Sequence, residues 1–469
     1  MRADNNQVIH MQVKSPQAHR VYQRNDENAA DIAIELAFSR CVHGRIETRI
    51  AWDDRISAWR DMGRVEGSKA FRGVQEAVPT GSFRLDIRFI DDGEQAVCGG
   101  EAWVGPVYVG DLWILAGQSN MEGCGKLVDI EIPQAGISCF YMNEQWGMAE
   151  EPLCWLNESP DPAYWLVPEA ELEQAILAAR HFRTEAAGLG LPFAKELYRH
   201  TGVPIGLIPC ARGATDMTWW DPALADSNDH SLYRAMLRRV RHAGGDVKGI
   251  LWYQGESDAI TQASSLYKSR TLNLIQSLRR DLGQPQLPFI FAQLSVFHIW
   301  QFDGVSHWNH VQQEQLDLED MLEHAALVPT IDASLANPIH LDAPSLCKVG
   351  QRMAWQAMRL AYGHSVCEPG PRPSVFLWNE ERTELSVMLT GLNGELGSVP
   401  RVYGFRVEAD GAALPLMGEI GGDGRHVVLR FEQPVPVDSV LWQGAGVSPT
   451  VNVKDGKGLP LVVFGPVTV

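Results

Sequence analysis

The sequence predicts an α/β protein: a doubly wound parallel sheet in the middle of the chain, flanked at both ends by smaller β-sandwich-like regions. Three observations lead there. Near the start, Phe83, Leu85, Ile87 and Phe89 alternate with Arg84, Asp86 and Arg88, the period of two that marks a half-buried strand. From about residue 109, short apolar runs end in polar, Gly-rich turns and alternate with helical patterns, as repeated strand–helix units do. Past about residue 367 the period of two returns, in Leu385, Val387 and Leu389 and in Val427, Leu429 and Phe431.

The N-terminal region, 1–108, adds Ile32, Ile34, Leu36 and Phe38, then Ile46, Ile50 and Trp52, to the same alternating pattern, with a turn at Asp91-Asp92-Gly93. In the central region, 109–366, five apolar runs predict strands: 112–116, 203–208, 247–253, 289–294 and 326–331. Helices are expected between them, at 192–200, where Phe193 and Leu197 share a face, and at 348–362, where Val349, Met353, Ala357 and Leu360 are apolar. Glu368-Pro369-Gly370-Pro371 reads as a linker into the C-terminal β region, 367–469. Three regions suit 469 residues, at about 150 residues per domain.

Composition narrows the function. Hydrophobic residues at 45% and charged residues at 21% are those of an ordinary globular protein. With 40 Lys and Arg against 58 Asp and Glu, the net charge of -18 repels phosphate backbones and anionic lipid, so neither nucleic acid nor membrane is an expected partner. A neutral sugar is accommodated more easily. There is no long apolar span, and Met1-Arg2-Ala3-Asp4-Asn5-Asn6 lacks a signal-peptide core. A cytoplasmic location is the default reading, periplasmic or secreted if a signal was trimmed. Eight scattered cysteines with no C-x-x-C pair argue for buried thiols over a zinc site or a disulfide scaffold.

Ligands of open α/β sheets bind beyond the carboxyl ends of the strands. Ser119, Gly213 and Glu256 each follow one predicted strand, and His340 follows the run ending at Ile331-Asp332. A nucleophile, a backbone donor, an acid and a base thus reach one sheet edge, in the chain order Ser, acid, His of other α/β hydrolases. A serine hydroxyl needs an imidazole to take its proton, an acid fixes the imidazole tautomer, and the oxyanion needs donors in place. The N–H groups of Ser119 and Gly213 and the amide of Gln254 are the expected donors. Taken singly the residues are weak: a Gly-Gln-Ser-Asn turn also caps helices, and His298, His307 and His310 compete with His340. His307-x-x-His310 lacks a further ligand cluster, so neither metal nor cofactor is expected.

Together, LWILAGQSNM (112–121), LIPCARGATDMTWW (207–220), LWYQGESDA (251–259) and PIHLD (338–342) closely resemble the SGNH (GDSL-like) hydrolase superfamily, in its sialate O-acetylesterase and acetyl xylan esterase-like branch. The resemblance covers about 109–365 and extends loosely to a preceding and a following β domain. It implies a serine carbohydrate esterase that removes O-acetyl groups through an acyl-enzyme, with Ser119 as nucleophile, His340 as base and Gly213 as second oxyanion donor. Gln254 falls in the block that holds the superfamily's asparagine donor. Gln118, Asp216, Trp219, Trp220, Trp308 and Asn309 fall where the branch shapes its sugar pocket, and core packing accounts equally well for the tryptophans.

One position departs from the pattern. The superfamily's triad acid lies three residues before the histidine, where this chain has Asn337. Glu256 is therefore the expected acid, as in some acetyl xylan esterases, with Asp332 and Asp342 as alternatives. Two rival functions stay open: a catalytically weak sugar-binding protein, which Asn337 favours, and an esterase or thioesterase for lipid-like substrates. The absence of a long apolar lid favours sugar and short acyl groups. Arg212 suits either a sialic acid carboxylate or the fixing of its own loop.

Overall fold

The computed structural model describes residues 9–52, 54–92, 98–227, 229–298 and 305–469. The segment Met1 to Asn6 and the turn residue Gly93 lie outside them. One strand organises the chain. Cys98–Gly117 begins as the antiparallel partner of Gly81–Asp91 and ends as a parallel strand between Ile205–Pro209 and Gly249–Tyr253. The parallel run continues from Gly249–Tyr253 to Phe289–Ala292 and Ala325–Val328 on one side, and from Ile205–Pro209 to Ile137–Phe140 on the other. These strands are continuous apolar runs, as strands buried on both faces must be.

The N-terminal strands extend this sheet rather than forming a separate sandwich. Met11–Ser15, Ala29–Trp52, Arg60–Pro79 and Gly81–Asp91 all join it by antiparallel pairing. Their alternating residues behave as the period predicts. Ile32, Ile34, Leu36, Phe38, Phe83, Leu85, Ile87 and Phe89 are all buried in a core of their own, each contributing about 1.5–3 kcal/mol. Alternation reports one buried face, and it cannot report whether the covering layer is a second sheet or a bend of the same one.

Helices Gly190–Thr201 and Ala343–Ala361 cover the parallel strands and pack on each other. Gly350 makes their approach possible, because a Cβ there would lie 2.4 Å from the carbonyl oxygen of Leu189. The C-terminal residues form two four-stranded sheets, linked by Phe376, Phe405 and Phe464. Their core is continuous with that of the parallel sheet. Polar ties reinforce the joint: Gln293 exchanges two hydrogen bonds with the backbone of Val463 at 2.8 and 3.0 Å, and Arg372 pairs with Glu319 at 2.9 Å. Among the described residues, no helix is long and apolar enough to cross a membrane.

Asp332 forms a further tie. Its buried carboxylate meets Arg352 at 2.7 Å and Lys454 at 2.8 Å. Burial alone would raise its pKa; the Arg352 and Lys454 partners override that and hold it down at about 2. A depressed carboxylate pKa contributes stability that is complete above the usual value of 3.8 and is lost as pH falls through about 2. Asp332→Asn is expected to cost about 3 kcal/mol at neutral pH by leaving Arg352 buried without its counter-charge. In urea titrations, the gap between variant and wild type should close as pH falls from about 4 to 2.

Candidate active site

Three strand ends meet at Gly117. Its backbone sits at φ +133°, and a Cβ there would lie 2.1 Å from the carbonyl oxygen of Tyr253, so only glycine fits. That close approach lets the Gln118 N–H donate to Tyr253 O at 2.8 Å, while the Arg212 N–H donates to Gly117 O at 3.0 Å. The chain then turns into the short helix Ser119–Glu122. Ser119 emerges half-buried at its first position, where the backbone N–H has no intrahelical partner.

His340 comes to it from far along the chain. Its Nε2 lies 3.0 Å from Ser119 Oγ, across 221 residues of sequence. Burial lowers the pKa of His340 below its usual 6.5, with Glu185 acting in the opposite sense, so the ring is neutral at neutral pH. The loop holding it is pinned by Asn120, which accepts from the Leu341 N–H at 3.0 Å and donates to the Ile339 carbonyl at 3.3 Å. His298 meets this loop through its backbone N–H, which donates to Pro338 O. His307 bonds Ser264 Oγ, and His310 pairs with Glu314.

Glu256 does not touch the imidazole. Its Oε1 accepts from Asn120 Nδ2 at 2.7 Å, so it supports the histidine loop at one remove. Burial pushes its pKa up from 4.5 to about 7, against the Asn120 hydrogen bond and with help from Asp258. Asp332 is held by Arg352 and Lys454, and Asp342 caps the helix Ala343–Ala361 through the Ser345 N–H. What faces His340 Nδ1 is the side-chain nitrogen of Asn337, at 3.0 Å.

The expected oxyanion donors are only partly free. Gly213 does stand beside Ser119, since a Cβ on it would lie 3.5 Å from Ser119 Cβ. Its N–H, however, donates to Glu122 Oε2 at 2.7 Å. Glu122 also meets Arg183 at 3.4 Å, and burial raises its pKa. Gln254 is fully buried and spends its side-chain nitrogen on Thr215 O and Asp258 Oδ2, so its amide donor is already engaged.

Several residues expected in the sugar pocket are structural. Trp220 is fully buried edge-on to Trp252, and Trp308 is buried, stacked on Phe297, and donates to Ser295 O. Asn309 bonds Gly444 O. Gln118 is buried and accepts from the N–H groups of Gly255 and Ser257, locking two motif blocks together. Asp216 and Trp219 keep partial exposure on the Gly213 loop. Arg212 lies over the Trp219 ring at 4.7 Å and donates to Trp165 O, which fixes its loop. Asn120 and Glu122 carry roles that sequence reasoning did not assign, although Asn120 sits in the quoted Ser119 block and Glu122 directly follows it.

Comparison with known proteins decides the family. Residues 109–359, more than half of the chain, match the family described as "Carbohydrate esterase, sialic acid-specific acetylesterase". The chain belongs to this family. It is a carboxylic ester hydrolase acting on carbohydrate, and it removes O-acetyl groups. A probable carbohydrate esterase of Arabidopsis thaliana is 28% identical over 263 residues, covering 53% of this chain and 90% of that protein. Human sialate O-acetylesterase is 26% identical over 219 residues, and the match spans 40% of each chain. A carbohydrate acetylesterase from Xanthomonas citri shares the fold over 96% of this esterase and 97% of its own chain, with TM-score 0.67 and 23% identity. That likeness takes in the β regions at both ends.

Because Glu256 serves Asn120 as a hydrogen-bond acceptor, an amide oxygen should replace it. Glu256→Gln is expected to keep esterase turnover within about fivefold of wild type. A carboxylate pKa raised to about 7 means stability that is full below 4.5 and is lost as pH rises through 7. In thermal melts the variant should therefore gain on wild type between those pH values.

Proposed function

We propose that the esterase works through a serine acyl-enzyme, with Ser119 as nucleophile and His340 as its base, on an SGNH-type catalytic unit of about 109–366. The β regions 1–108 and 367–469 flank that unit. The observation that carries this reading is the 3.0 Å contact between Ser119 Oγ and His340 Nε2, which lies within general-base reach. Ser119 Oγ attacks the acetyl carbonyl carbon while its proton passes to Nε2. Collapse of the tetrahedral intermediate breaks the ester C–O bond, and the departing sugar oxygen takes the proton back from Nε2. A water molecule, deprotonated in turn by Nε2, then attacks the acyl carbon; the bond from that carbon to Ser119 Oγ breaks, Oγ takes the proton back from Nε2, and acetate leaves.

The Ser119 N–H supplies one oxyanion donor. The Gly213 N–H supplies a second once the oxyanion competes with the Glu122 carboxylate for it. The half-exposed Asp216 and Trp219 offer a carboxylate and a ring face to the acetylated sugar, a polar and aromatic pairing suited to pyranose faces.

Acetate release from p-nitrophenyl acetate and from acetylated xylan tests the assignment. Ser119→Ala is expected to lose at least about 10³-fold in turnover with unchanged folding, since triad removal leaves only residual catalysis. Turnover equal to that of wild type would remove Ser119 from the chemistry.

A further inference from the structure

We propose that Asn337 holds His340 in the wrong tautomer, so that this esterase carries a restrained Ser119–His340 pair that a carboxylate at position 337 would release. The inference rests on the assignment of Ser119 and His340 above. Asn337 Oδ1 accepts from two backbone N–H groups, those of Ile339 at 3.2 Å and His340 at 3.0 Å. These donors fix which way round the amide lies, because the flipped amide would aim its NH₂ at both of them. The NH₂ is thereby turned onto His340 Nδ1 at 3.0 Å.

An amide nitrogen only donates, so Nδ1 must present its lone pair. In a neutral imidazole the proton then sits on Nε2, which faces Ser119 Oγ at 3.0 Å. The ring donates to the nucleophile when it should receive the nucleophile's proton. The imidazolium that forms during attack is opposed as well, since its Nδ1–H would point at the NH₂. A carboxylate would satisfy every partner: one oxygen for the two backbone N–H groups, the other for Nδ1–H. The loop has the shape of an aspartate site and holds an asparagine in it.

No other described acid stands in. Glu256 is spent on Asn120, Asp332 on Arg352 and Lys454, and Asp342 on Ser345 and Ser334. From the elements around the ring, Ser119 faces Nε2, Asn337 faces Nδ1, and Glu185 of the strand Glu185–Ala187 acts on it through its charge. Asn337 is thus a positioning residue that acts through His340.

The test is Asn337→Asp, assayed for acetate release beside wild type, Ser119→Ala and the double variant. In the protease template, replacing the acid by its amide lowers turnover about 10⁴-fold. The reverse change is expected to raise kcat by about 10²-fold or more with little change in KM. The acid limb of the kcat/KM profile should also move to higher pH, because a carboxylate beside the ring favours its protonated form. Selective ¹⁵N labelling should show His340 protonated at Nε2 in wild type and at Nδ1 in the variant. A folded Asn337→Asp with kcat at or below wild type overturns the inference while leaving the Ser119 assignment intact. Turnover that survives Ser119→Ala in both backgrounds removes the assignment itself. Should the variant fail to fold, the wild-type tautomer decides, and protonation at Nδ1 would refute the inference.

Discussion

The contact between Gly117 and the carbonyl of Tyr253 is the constraint on which the reactive edge depends. Three strand ends converge there only because one residue has no side chain. The hydrogen bonds that follow, from Gln118 to Tyr253 and from Arg212 to Gly117, bring the Ser119 turn, the Gly213 loop and the Glu256 block within one another's reach. A larger residue at 117 would force the strands apart and separate Ser119 from the loops that surround it.

A layer of buried polar side chains turns that convergence into a site. Gln118 accepts from the backbone N–H groups of Gly255 and Ser257, and Asn120 bridges Glu256 to the histidine loop. Inside the protein such bonds are strong and costly to leave unmade. They therefore hold His340 to the serine even though its loop lies far along the chain. In the same layer Glu256 is the acceptor for Asn120, and burial raises its pKa.

Much of the fold and part of the site were legible in the residues. The strands flanking Ser119 and Gly213 follow from apolar runs, and Ser119 and His340 follow from the motif blocks at their ends. The buried positions of Trp220 and Trp308 were not legible, because an indole covers a sugar or fills a core with the same chemistry, and only its neighbours tell which. The engagement of Gly213 by Glu122 was hidden for a related reason. A backbone N–H has no signature in sequence, and its partner is set by packing.

The sequence alone determined the α/β alternation, the serine and histidine, and the absence of a carboxylate at 337. Those follow from residue type and local period, which the chain carries everywhere in itself. The tertiary structure alone decided that the N-terminal strands prolong the catalytic sheet and that Glu256 reaches Asn120 instead of His340. It also decided which way the Asn337 amide lies. Each of these turns on which hydrogen-bond donor meets which acceptor across distant segments, at separations of 3 Å or so that no local pattern encodes.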